Sequence, residues 1–154
     1  MYTEQITQRL ALGNGVVPQT VNGAAVNTDA VDMTKSRRAF FAVIFGATVG
    51  GTVTLSLQED DGTGTWQANG SAGTFGNSGG SNVQQTLAPP VANKLYTFEV
   101  RAGQLSNGKK QARLNINVSA NNNLLACLCW GDEGAHKPNN ANNGANVSTQ
   151  NVLS

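Results

Sequence analysis

Histidine is almost missing from this chain: one residue, His136, in 154. Cysteine is nearly as scarce, with Cys127 and Cys129 only. Charged residues make up 12% of the sequence, and the ten Lys and Arg nearly balance the nine Asp and Glu, leaving a formal net charge of +1. Each shortage narrows the field. A nucleic-acid binder carries a marked basic excess, and none is present. Catalysis draws on titratable groups with displaced pKa values, and few such groups are available. The longest apolar run, "AFFAVIFGA" from Ala39 to Ala47, falls well short of the roughly 20 residues that a membrane-spanning helix needs. The opening "MYTEQITQRLALGNG" has neither the basic start nor the continuous apolar core of a secretory signal. The expectation is one soluble domain made in a cytoplasm.

Glycine, by contrast, occurs 18 times, and Asn, Thr and Ser are plentiful. That mixture favours strands and turns over helices. The first fifteen residues read as an arm. Ile6 and Leu10, four residues apart, permit a short helix that Gly13 and Gly15 would stop. Such a helix is marginal alone and needs a partner surface. Strand signals then begin. In "VVPQTV" Pro18 suits an edge. "RAFFAVIFGA" is apolar at both parities, so it reads as a central strand from Arg38 to Phe45 with both faces covered. "TVTLSLQED" alternates, with Val53, Leu55 and Leu57 on one side. "DDGTGT" is a hairpin turn after which Trp66 should pack back on the sheet. Residues 69–82 form a Gly/Ser-rich loop. "KLYTFEVRA" and "ARLNINVSA" alternate again, with Tyr96, Phe98 and Val100, and Ala112, Leu114, Ile116 and Val118, facing inward. "LLACLCWG" is the last core strand. From Asp132 the chain turns polar and Asn-rich and reads as a tail. The domain organisation is therefore an arm over 1–15, a β-sandwich or jelly-roll domain over 16–131 and an arm or tail over 132–154.

The motifs that invite chemistry mostly fail its requirements. Cys127 and Cys129 share one face of a strand, roughly 6.5 to 7 Å apart, given a rise of about 3.3 Å per residue. That is at or beyond the reach of a disulfide. C-x-C with one distant His lacks the C-x₂₋₄-C pairs of zinc sites. Buried core thiols are the expectation, with a site using His136 or a redox role as the alternatives. No G-x-S-x-G elbow accompanies His136. "QEDDGTGTW" lacks the spaced acids and the final Glu of a calcium loop. "GATVGGTVT" lacks the Lys of a phosphate loop. "KSRR", Lys35 to Arg38, is either the solvated start of a strand or a contact for an acidic partner. Trp66 and Trp130 either pack on the core or offer a sugar platform. No cofactor, metal or catalytic residue is expected.

The stretch "VDMTKSRRAFFAVIFGATVGGTVTLSLQEDDGTGTWQ" resembles small structural proteins encoded near the capsid genes of tailed bacteriophages. "LYTFEVRAGQLSNGKKQARLNINV" is similar to their second half, and "LLACLCWGDEGAHKP" to their last strand and tail. The likeness runs from Val31 to Pro138. His136 stands where an aromatic is more usual, and the Gly/Ser loop and Asn-rich tail are additions. The resemblance implies a β-sandwich head decoration (cement) protein on the capsid surface of the virion, made in the host cytoplasm. It would bind the major capsid protein, as a dimer or trimer, with no nucleic acid or membrane partner. Contacts are expected from arms over Tyr2 to Leu12 and Lys137 to Leu153, with Tyr2, Ile6, Leu10, Lys137, Val147, Val152 and Leu153, and from Lys35, Arg37 and Arg38. Alternatives are a neck, tail or spike-base component, or a carbohydrate-binding module.

Overall fold

A computed structural model describes residues 10–48, 50–67 and 84–134. Among them there are nine strands: β1 (Ala11–Val21), β2 (Ala24–Asn27), β3 (Val31–Asp32), β4 (Ser36–Thr48), β5 (Val53–Asp60), β6 (Gln84–Leu87), β7 (Leu95–Arg101), β8 (Gln111–Val118) and β9 (Asn123–Gly134). One short 3₁₀ turn, Ala102–Gln104, follows β7. No described helix is long and apolar enough to cross a membrane.

Every strand pairing is antiparallel, and the strands form two sheets. The front sheet runs β1-β9-β4-β7 and the back sheet β2-β8-β5-β6, with β3 also paired to β8. The architecture is the all-β sandwich that the alternation indicated. Val53, Leu55 and Leu57 of β5 and Ala112, Leu114, Ile116 and Val118 of β8 turn inward from the back sheet. Ala39, Phe41, Val43 and Phe45 of β4 and Phe98 and Val100 of β7 meet them from the front. Tyr96 sets its ring edge-on to Phe45, with centroids 5.7 Å apart. Each large side chain buried this way contributes about 1.5 to 3 kcal/mol.

Two boundaries differ from the sequence reading. Residues 11–15, expected in an arm with a helix stop at Gly13 and Gly15, belong to β1, which pairs with β9 from Ala11↔Gly131 onward. A Cβ at Gly15 would stand 1.8 Å from the Cys127 carbonyl oxygen, and one at Gly13 would stand 2.6 Å from the Cys129 sulfur. These glycines let two backbones approach closely in a strand whose register is broken on either side of Val16. Pro18 sits in the second irregular stretch of this edge strand. At the other end β9 continues through Asp132 to Gly134, past the expected start of the tail. The Gly/Ser loop over 69–82 and the tail from 135 onward lie outside the described residues.

The turn after β5 is fixed by its acids. Asp60 Oδ2 accepts hydrogen bonds from the backbone of Gly62 (2.8 Å) and Gly64 (3.0 Å). Asp61 Oδ1 accepts from the Thr63 backbone at 3.0 Å and from its hydroxyl at 2.6 Å. Gly62 and Gly64 have φ of 100° and 86°, a region that glycine enters without steric cost. The carboxylates thus shape the hairpin turn. Trp66 comes back over the back sheet, where the Arg113 guanidinium lies 4.1 Å from its ring centroid. Arg113 Nε also donates to Gln58 Oε1 at 2.8 Å.

Candidate interaction surface

A two-layer sandwich has two inner and two outer faces. The outer face of the back sheet is polar, as Thr54 and Gln58 of β5 and Arg113, Asn115 and Asn117 of β8 require. The outer face of the front sheet is not. On β4, Phe40, Ala42 and Ile44 alternate with the inward residues, and on β9 Leu124, Ala126, Leu128 and Trp130 alternate with inward Leu125, Cys127 and Cys129. The register joins these two sets into rungs: Phe40 opposite Trp130, Ala42 opposite Leu128, Ile44 opposite Ala126. The aromatic rung is tilted, with ring centroids 4.5 Å apart. Leu124 lies over Gly46, whose Cβ would come 3.0 Å from the leucine Cδ2.

This face is open. Leu128 is 67% exposed, Ile44 47% and Leu124 40%. Exposed Leu95 extends the patch on β7, where it pairs with Ile44, and Leu12 extends it on β1, where it pairs with Trp130. Among the described residues, the expectation that both faces of the β4 run are covered is corrected. These residues form only two layers, so none of them covers the second apolar parity. Contiguous apolar surface of this kind marks an interaction site.

Charge begins only at the rim. Arg38 pairs with Glu99 across β4 and β7 at 3.4 Å, and Lys35 pairs with Asp32 at 3.5 Å in the turn before β4. Burial pushes the Asp32 carboxyl up, but the hydrogen bonds from Thr34 and the nearby Lys35 ammonium together outweigh it and hold it below the usual value. Arg37 is exposed beside them. Of the residues singled out from sequence, Lys35, Arg37 and Arg38 lie together at this end, and Leu10 immediately precedes β1. Tyr2, Ile6, Lys137, Val147, Val152 and Leu153 lie outside the described residues, as does His136. Sequence reasoning missed Ile44, Leu124 and Leu128. Their signal was visible as two runs apolar at both parities, "AFFAVIF" and "LLACLCW".

Cys127 and Cys129 are free and buried on the inner side of β9. Burial pushes both thiols up to about 12, and each is raised further by a neighbour, Cys127 by Cys129 and Cys129 by Asp29. The expected result is that a thiol reagent at pH 8 labels neither cysteine in the native protein and both in denaturant. A thiol whose folded pKa lies above its ordinary value of 9.0 favours folding fully at lower pH. That contribution is lost as pH rises from 9 toward 12, where only the unfolded chain ionises. Urea midpoints should therefore fall over this range, and rapid native labelling at pH 8 would refute the buried assignment.

No protein-family model matches the chain, and no curated protein matches it. Among solved structures, the chain is similar to one from Bacillus endospore appendages, described as disulfide-linked pili, with 13% identity and a TM-score of 0.42 over 86% of this chain and 96% of that one. It is also similar to the enzymatically active domain of tailspike protein 4 of bacteriophage CBA120, with 18% identity and a TM-score of 0.42 over 82% of this chain. The matched region spans 20% of the tailspike chain.

Proposed function

We propose that this chain is a structural virion protein of the head decoration type, which binds the outer surface of an assembled phage head and stabilises it. The observation that carries the reading is the apolar centre of the front sheet's outer face, which the described residues leave open. A domain that keeps such a surface has an assembly to join. The phage resemblance of the Val31–Pro138 stretch supplies the kind of assembly. The side chains that bear chemistry support a non-catalytic role, because they serve the fold. Asp60 and Asp61 hold a turn, Glu59 accepts from the backbone and hydroxyl of Ser106, and both thiols are buried.

Stabilisation would follow mass action. A protein that binds the intact lattice and not the dissociated one stabilises it by about 2.7 kcal/mol per site at 100 times its dissociation constant. The lattice contact is with the major capsid protein, through Lys35, Arg37 and Arg38 at the charged end of the sandwich. The test is a copy count on purified particles, by quantitative mass spectrometry against the major capsid protein. One copy per capsid subunit, or a simple fraction such as a third, is the expected result. A handful of copies would move the protein to a neck, tail or spike base, and absence from particles would end the virion reading.

A further inference from the structure

The outer face of the front sheet alternates large and small side chains in a definite pattern. On one rung Leu128 of β9 is large and Ala42 of β4 small; on the next Ala126 of β9 is small and Ile44 of β4 large. Knobs thus occupy one diagonal of a four-residue block and hollows the other. Exposure agrees, since Leu128 and Ile44 stand 67% and 47% exposed and Ala42 only 8%. Turn a second copy over by a two-fold axis along the strands and lay it face to face. Leu128 then falls over Ala42 of its mate, and Ile44 over Ala126. Within this block each knob meets a hollow, in both directions at once, as an isologous contact demands, and on the neighbouring rung Trp130 falls over Phe40 of the mate, aromatic on aromatic.

Charge and size fit the same occupant. The block carries no ionisable side chain, so a copy brings no like charge against it. The rim offers both signs side by side in Arg38 and Glu99. Four strands about 4.8 Å apart, followed for about 23 Å along β9, give about 450 Å² of flat face per copy. Corrugation raises the accessible area above that, so two copies approach the roughly 1,000 Å² at which specific interfaces begin. Two sheets packed face to face at about 10 Å is a standard sandwich interface.

We infer that the front sheet's outer face is the interface of a two-fold homodimer, with Leu128 and Ile44 as knobs seated in the hollows at Ala42 and Ala126 of a second copy. Its biological purpose rests on the structural-protein reading, but the isolated full-length chain tests it, so either idea can fail alone. The experiment is light scattering after size exclusion, together with sedimentation equilibrium, at about 10 to 100 μM. That range suits interfaces at the small end of the size scale. The native chain should be a dimer. Leu128→Glu, at a position open to solvent in the single chain, should be a monomer with an unchanged far-UV spectrum. Asn117→Glu, on the back sheet's outer face, should remain a dimer. Ala42→Leu, which fills a hollow, should weaken the dimer at least tenfold. A native monomer, a trimer, or a dimer indifferent to both front-face changes would overturn the inference. So would a monomer that attaches to particles only when Leu128 is intact, because the face would then belong to the capsid.

Discussion

Phe41→Ala is expected to cost about 3 to 5 kcal/mol of stability, as removal of a fully enclosed phenylalanine usually does. Phe41 is wholly buried at the centre of the sandwich, on the inner side of β4, between Cys129 and Phe98 in the sheet register. Its loss removes apolar burial and leaves a cavity that rigid strands fill poorly. Domains of this size are stable by only about 5 to 15 kcal/mol, so a large share of the variant should be unfolded near its working temperature. The adjacent residue behaves differently. Phe40 faces outward against Trp130, and Phe40→Ala should cost the single chain only about 1 kcal/mol, on the scale of an aromatic pair. It should instead weaken self-association. Urea unfolding and sedimentation on both variants separate these effects. Equal loss of stability from the two would show that the faces have been assigned wrongly.

Gly15→Ala should be the second severe change, for a steric reason. The added methyl would lie 1.8 Å from the Cys127 carbonyl oxygen and 3.1 Å from the Leu128 Cα, both backbone atoms of β9. No rotamer change relieves that contact, so β1 must lift from β9. A cost of about 3 kcal/mol is expected, at the upper end of what overpacking imposes. Hydrogen exchange should show β1 amides losing protection while β4 and β8 keep theirs. Gly103→Ala is the control, since nothing stands within 4 Å of a Cβ there, and its effect should stay within about 0.5 kcal/mol. Unaltered β1 protection in Gly15→Ala would show that the close approach is not present in solution.

Much of the sandwich could be read in advance. β7 and β8 each bury one parity, β5 turns its apolar parity inward, and a period of two survives any choice of partner. The turn at Asp60 announced itself through Asp-Gly, because its hydrogen bonds are local. Other features depended on distant partners. Glu59 looked like the polar end of a strand, yet it is 1% exposed, because Ser106, far along the chain, donates to it. Gly13 and Gly15 looked like helix stops, and only the approach of β9 explains them.

The sequence by itself determined the fold class, the inward residues of the alternating strands and the scarcity of groups able to do chemistry. It also contained the decisive oddity, two strands apolar on both faces. A pattern of hydrophobicity states that a face avoids water; it does not say what supplies the cover. Tertiary structure decided that. It put β4 and β9 side by side, gave their inner parity to the core and left Phe40, Ile44, Leu124, Leu128 and Trp130 on the outer face. Antiparallel register then set Ala42 beside Leu128 and Ala126 beside Ile44, a relation between residues more than eighty apart. Knobs and hollows are properties of that register, so they exist only once the two strands have paired.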